Sequence, residues 1–251
     1  MKLSEIIKII ETAFPPEGAY DWDNVGLLVG NENDDIDKIL VTLDITEKTI
    51  LEAVENGCQL ILSHHPMMFS GIKKINTSSA DGRIILTAIK NGINVYAAHT
   101  NCDVAPGGIN AYLAEALHLV NPTPLEENGL GRIGEITEEL TLTQLCEMVK
   151  SELNLDFVCF CGEENKPVKT VAIGSGSCAD SIPMAIEKGA DVMITGDTKY
   201  HNMLEVCDDI SIIDAGHYGT EIVVCRIFYQ LLKDLPVEII STKSTDVYKV
   251  I

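Results

Sequence analysis

Along Met1–Phe14 the apolar residues Leu3, Ile6, Ile7 and Ile10 are interrupted by Glu5, Lys8 and Glu11 at helical spacing, which predicts an amphipathic first helix. The charges, and the lack of a small-residue cleavage site, distinguish it from a signal peptide. Further along, short Val/Ile/Leu-rich runs without clean polar alternation follow helical stretches. Runs of that kind are expected of strands covered on both faces by helices, in an α/β protein.

Three blocks recur in the same order in the two halves of the chain. Leu3-Ser-Glu-Ile-Ile-Lys-Ile-Ile matches Leu142-Thr-Gln-Leu-Cys-Glu-Met-Val, each read as a helix start with Ser4 or Thr143 in the N-cap position. Ala53-Val-Glu-Asn-Gly57 and Ala185-Ile-Glu-Lys-Gly189 each predict a helix end and its glycine, followed by a buried strand running to Ser63 or Thr195. Ile93 to Asp103 matches Ser211 to Glu221, a strand that runs out into His-x-x-x-carboxylate. Spacing between partners shrinks along the chain. Most of the shortfall is Met67–Gly82, a Gly/Ser/Asn/Lys-rich stretch predicted to be a surface loop beside the first-half site. The expected fold is an internally duplicated α/β protein, residues 1–124 forming one half and 125–251 the other, joined near Asn121-Pro-Thr-Pro124. Helices cover the sheets, and a metal site is expected in the cleft between the halves.

Composition narrows the partners. The 251 residues carry 18 Lys and Arg against 38 Asp and Glu, a formal net charge of −20. That field repels phosphate backbones, and Lys73-Lys74 is too small an electrostatic footprint, so nucleic acid is set aside as a partner. No apolar stretch of roughly 18 residues runs without a charge, so no membrane span is expected. The eight cysteines (58, 102, 146, 159, 161, 178, 207 and 225) form no Cys-x-x-Cys pair and sit mostly in apolar surroundings, as reduced core thiols of a cytoplasmic protein would.

The candidate chemistry lies in the histidines. Of six, His64, His65, His99, His201 and His217 fall at or just beyond the C-terminal ends of predicted strands, the edge where open α/β sheets bind ligands. Side chains of His64 and His65 are expected to point to opposite sides of the strand end, and Pro66 stops the ladder there; adjacent histidines suit two metals better than one. The duplication supplies Asp103 and Glu221, each four residues after a histidine. Imidazole and carboxylate without thiolate fit Zn, Fe or Mn, and two such cations activate water for hydrolysis. His99 and His201 are expected either to transfer protons or support the ligands, or to be structural. His118, near a helix end, reads as structural. Asp residues beside Trp22 are expected to cap or hydrogen-bond near the cleft, and Gly174-Ser-Gly-Ser-Cys178 reads as a tight turn or, alternatively, a phosphate cradle.

Taken in order, Trp22-Asp-Asn-Val-Gly-Leu, Ser63-His-His-Pro, His99-Thr-Asn-Cys-Asp103, Gly129-Leu-Gly-Arg-Ile-Gly134, Thr195-Gly-Asp and Gly216-His-Tyr-Gly-Thr-Glu221 resemble the Nif-three-like dinuclear metal-centre family, also called GTP cyclohydrolase I type 2 homologues. The resemblance implies metal ligands at His64, His65, Asp103, His217 and Glu221, two divalent ions per chain, and toroidal homohexamers built from trimers. It implies a small-molecule substrate, a purine nucleotide such as GTP, whose ring is opened by metal-activated water. The short connection around Pro122 to Gly134 leaves no room for the domain that longer members insert there. Two other functions fit the same residues: a non-catalytic metal-binding or assembly protein that docks protein partners, and a broad metallophosphoesterase.

Overall fold

The computed structural model describes residues 1–249. Two compact units divide the chain, one formed by Met1–Ala105 with Val224–Thr245 and one by Pro106–Val223 with the described residues from Asp246 on. This division differs from the halves 1–124 and 125–251 read from the repeat.

The first unit begins with helix α1 (Leu3–Ala13), followed by β1 (Gly26–Val29), β2 (Lys38–Thr42), α2 (Glu47–Asn56), β3 (Leu60–Ser63), α3 (Ala80–Lys90), β4 (Asn94–Ala97) and the short α4 (Thr100–Val104). The chain then leaves through α5 (Ile109–Ala116) into the second unit: β5 (Val120–Pro124), β6 (Arg132–Thr141), α6 (Leu142–Leu153), β7 (Cys159–Cys161), β8 (Pro167–Ile173), α7 (Ile182–Glu187), β9 (Val192–Thr195), α8 (Tyr200–Val206), β10 (Ser211–Asp214) and α9 (His217–Glu221). It returns to the first unit as α10 (Val224–Leu232) and β11 (Glu238–Ser241).

The sheets have orders β1-β4-β3-β2-β11 and β5-β6-β8-β9-β10-β7. Matched strand by strand, β2-β3-β4 correspond to β8-β9-β10, parallel in both, and β1 and β7 are the antiparallel edges beside them. The repeat is thus a repeat of topology. Beyond β2 and β8 it breaks: β11 joins β2 parallel, whereas β6 joins β8 antiparallel. The helices after the two His-x-x-x-carboxylate turns are exchanged. α5 packs on β6 and β8 in the second unit, while α10 packs on β2 and β11 in the first.

The central strands β2, β3, β4, β9 and β10 are buried, as their apolar runs require. Leu40, Ile61 and Val95 pack with Ile50, Ala53, Ile85 and Ala88 of α2 and α3. On the other face Tyr96 donates to Glu11 of α1 (3.2 Å), and Phe14 meets Phe228 of α10 with ring centroids 6.0 Å apart. In the second unit Ala172, Met193 and Ile212 pack with Ile182 and Ala185 of α7.

Several local expectations are corrected. The cap of α6 is Thr141, not Thr143: its hydroxyl accepts from Gln144 N (3.2 Å), and the Gln144 side chain accepts from Thr141 N (2.8 Å). α1 likewise starts at Leu3, its first turn closed by Glu5 accepting from Lys2 N (2.9 Å), so Ser4 is inside the helix. Gly57 and Gly189 do end helices, at φ +70° and +75°. Asn121-Pro-Thr-Pro124 is not a bare linker but part of β5, an edge strand where proline is tolerated. The expected loop from Met67 ends earlier than Gly82, because Ser79 caps α3 and accepts from Gly82 N (3.1 Å).

Candidate metal centre

In the first unit three strand ends and one helix converge. His64 and His65 follow β3, and their backbone N–H groups still bond Thr42 O (3.2 Å) and Leu43 O (2.9 Å). Their rings do not diverge as a pleated strand would demand; they lie beyond the strand, with centroids 5.1 Å apart. The metal-ligating atoms of His64, His65 and His99 lie within 4.8 Å of one another. Asp103, one turn into α4 and buried, brings Oδ1 to 3.7 Å from His64 Nε2.

Every one of these rings is held by Nδ1. His64 Nδ1 donates to the carbonyl of Ala98 (2.9 Å), which can only accept, so the ring's lone pair is on Nε2. His65 Nδ1 is bound to Asp44 Oδ1 (2.7 Å) and His99 Nδ1 to Asp23 Oδ1 (2.9 Å). Burial pushes the Asp23 carboxyl up, but bonds from His99 and Thr100 outweigh it and hold the group well below the usual carboxylate range. An ionised Asp23 accepts from His99, from Thr100 N (3.1 Å) and from Thr100 Oγ1 (2.6 Å).

The second unit repeats the device with different partners. His217 opens α9 and Glu221 lies one turn on, so both face one side of the helix, with His217 Nε2 2.9 Å from Glu221 Oε2. His217 Nδ1 is bound to Asp197 Oδ2 (2.8 Å). Asp214 shapes the approach, accepting from Gly216 N (2.9 Å) and Thr198 N (2.8 Å). Two glycines make room. A Cβ on Gly196, the counterpart of His64, would sit 2.6 Å from His217 N, so no side chain fits there. A Cβ on Gly176, at φ +58°, would sit 2.0 Å from Glu221 Oε1.

The donor set fits a borderline divalent metal. Ligating histidines ordinarily donate the second ring nitrogen to a carboxylate or carbonyl, which fixes the tautomer. His64, His65, His99 and His217 all do so. With metal–ligand bonds of about 2.0–2.2 Å, Nε2 of His217 and Oε2 of Glu221 are spaced as two ligands of one cation.

His201 is exposed on α8, its ring edge-on to Tyr200 at 5.5 Å, and joins no grouping of metal-ligating atoms among the described residues. His118 is exposed at φ +55°, 3.9 Å from Glu152, a surface position at the end of α5. The turn at Gly174–Cys178 is no phosphate cradle, because Ser175 N donates to Asn110 Oδ1 (2.9 Å), Gly176 N to Thr220 Oγ1 (2.9 Å) and Cys178 N to Thr195 Oγ1 (3.2 Å). Arg132, in the Gly129–Gly134 motif, donates to the carbonyls of Gly129 and Gly131 (both 2.7 Å) and braces the turn between β5 and β6. Asp23 meets the expectation of a hydrogen-bonding acid near the site. Asp44 and Asp197 carry no such expectation, although both stand just past strand ends, as the histidines do.

A family model described as Duf34/NIF3 (NGG1p interacting factor 3) matches residues 1–246. A Clostridium perfringens protein named GTP cyclohydrolase 1 type 2 homolog is 41% identical over 228 residues, covering 88% of this chain and 87% of that protein. Among solved structures, a Bacillus cereus protein related to NIF3 matches with a TM-score of 0.94 at 27% identity, over 100% of this chain and 99% of its own. Reduced HcgD from Methanocaldococcus jannaschii matches with a TM-score of 0.87 at 32% identity, over 97% and 98%.

Proposed function

The chain belongs to the Duf34/NIF3 family, and we propose that it is a metal-dependent hydrolase in which His64, His65, Asp103, His217 and Glu221 hold two divalent cations, Zn, Fe or Mn. One observation carries this reading: the histidines at the strand ends are locked through Nδ1 onto oxygen acceptors, the arrangement that presents Nε2 to a metal. When bound, such a pair of cations lowers the pKa of water to near 7 and polarises a substrate oxygen. The residues' own part is to fix that geometry beforehand, with Asp44 and Asp197 setting ring orientation. His99 is the proposed proton carrier, because Asp23 fixes its ring through Nδ1 and that ring stands 5.0 Å from the ring of His64. The substrate to test first is a purine nucleotide, since relatives carry the name GTP cyclohydrolase 1 type 2 homolog. A homohexamer of such chains is part of the same proposal.

The test is metal content per chain by elemental analysis, wild type against Asp103→Ala, both purified without added metal or chelator and checked for folding by circular dichroism. About two metals in the wild type and a clear loss in the variant is the expected result. Wild-type protein that stays metal-free after reconstitution with Zn, Fe and Mn would sink the proposal. Turnover of GTP, ATP and a chromogenic phosphate ester, measured side by side, separates purine ring opening from general phosphoesterase activity. No turnover by a metal-loaded protein would favour the assembly role.

A further inference from the structure

The segment from Tyr20 to Asn24 is built with more care than a surface turn requires. Trp22 is 60% exposed, yet its ring is stacked on Tyr20 at 5.8 Å with an interplanar angle of 10°. Asp23, the next residue, is the anchor of His99 and Thr100, and Tyr20 N donates to Thr100 Oγ1 (3.1 Å). Asn24 donates to Met68 O (2.7 Å), tying this segment to the loop that carries Phe69. Phe69 is itself 54% exposed. Both rings meet the same imidazole edge-on: Trp22 lies 6.0 Å from His99 at 73°, and Phe69 5.6 Å from it at 77°. Beside Phe69 opens a cavity of about 380 Å³ bounded in part by Asp23, Asn24 and Ser70. That volume is within the range of small-molecule sites.

Exposed aromatic faces held rigid from behind are expensive to present to water, and flat heterocycles stack on such faces regardless of their exact hydrogen-bonding pattern. We propose that Trp22 and Phe69 form the binding platform for a planar heterocyclic substrate, stacking its ring beside His99, with Asn24 and Ser70 available to its polar edges. The proposal rests on the hydrolase reading above for the chemistry but not for the binding. It names the substrate class by shape: a flat, π-bearing ring such as a nucleobase, in preference to a sugar phosphate.

Trp22 is the chain's single tryptophan, so its emission reports on this site and no other. The experiment is titration of the intact, metal-containing protein with guanosine, adenosine and GTP, with ribose 5-phosphate as the ring-free control, following tryptophan fluorescence on selective excitation. Saturable quenching by the three ring compounds and none by ribose 5-phosphate is expected. Phe69→Leu, which keeps the reporter, should weaken that binding on the order of tenfold. Trp22→Leu, followed by equilibrium dialysis with guanosine, should do the same. Metal content should remain at the wild-type level in both variants, since neither side chain offers a ligand. Quenching by ribose 5-phosphate equal to that by guanosine, or no quenching by any compound in a metal-loaded protein, overturns the platform and leaves the metal centre standing. Quenching that persists in protein unable to bind metal keeps the platform and removes the hydrolase. Should Trp22→Leu instead shift the oligomeric state in size-exclusion chromatography with nucleoside binding unchanged, the face is a subunit contact and the proposal fails.

Discussion

Asp44 touches His65 through one hydrogen bond, and that bond decides which ring nitrogen carries the lone pair. Asp44→Ala should lower metal affinity roughly 10- to 100-fold without unfolding the protein, read by titrating the apoprotein with Zn. Gly176 acts by what it lacks. Gly176→Ala puts a methyl into the Glu221 carboxylate at a backbone conformation that alanine disfavours. The variant should lose on the order of 1 kcal/mol or more in chemical denaturation, and its metal content should fall. The histidines are legible in the sequence because only six occur and five follow predicted strands. The carboxylate anchors Asp44 and Asp197 are not, for a simple reason: with 38 Asp and Glu in the chain, one acid beyond a strand end does not stand out until a ring nitrogen is seen against it. His201, close to a strand end in sequence, lies on the exposed side of α8.

At the scale of elements, apolar periodicity places α1, the strands β3, β4, β9 and β10, and the helix ends at Gly57 and Gly189, because burial on one stripe or two faces leaves a direct mark on residue order. Boundaries are harder to read. Thr141 and Thr143 are both plausible caps by type, and only the reciprocal bond with Gln144 selects Thr141. Thr141→Ala should therefore destabilise the protein by about 1 kcal/mol in urea denaturation, while Thr143→Ala, inside the helix, should cost less. The proline-bearing segment at Val120–Pro124 reads as a linker because prolines remove donors, yet an edge strand needs donors on one side only.

For the whole molecule, the repeat reveals duplicated topology but not the exchange of α5 and α10, because the repeated blocks stop at the carboxylates and tertiary packing alone decides where the next helix goes. A fragment of residues 1–124 would lack α10 and β11, baring Phe14 and the outer edge of β2. Such a fragment should show no cooperative thermal transition by circular dichroism, whereas a natural domain cut at its boundary would. Among the described residues no helix is long and apolar enough to cross a membrane, and none of the eight cysteines is in a disulfide. Burial raises the thiols of Cys58 and Cys146 to about 11 and that of Cys225 to about 12. The helix exchange also reverses the usual order of vectorial folding. Most of the second unit, residues 106–223, is contiguous and can close as soon as it is made, but the unit begun first still awaits α10 and β11. His64, His65 and His99, which follow β3 and β4, are thus translated early and left without a finished scaffold until synthesis has passed Ser241, by which time the part of the chain bearing His217 and Glu221 has already been made.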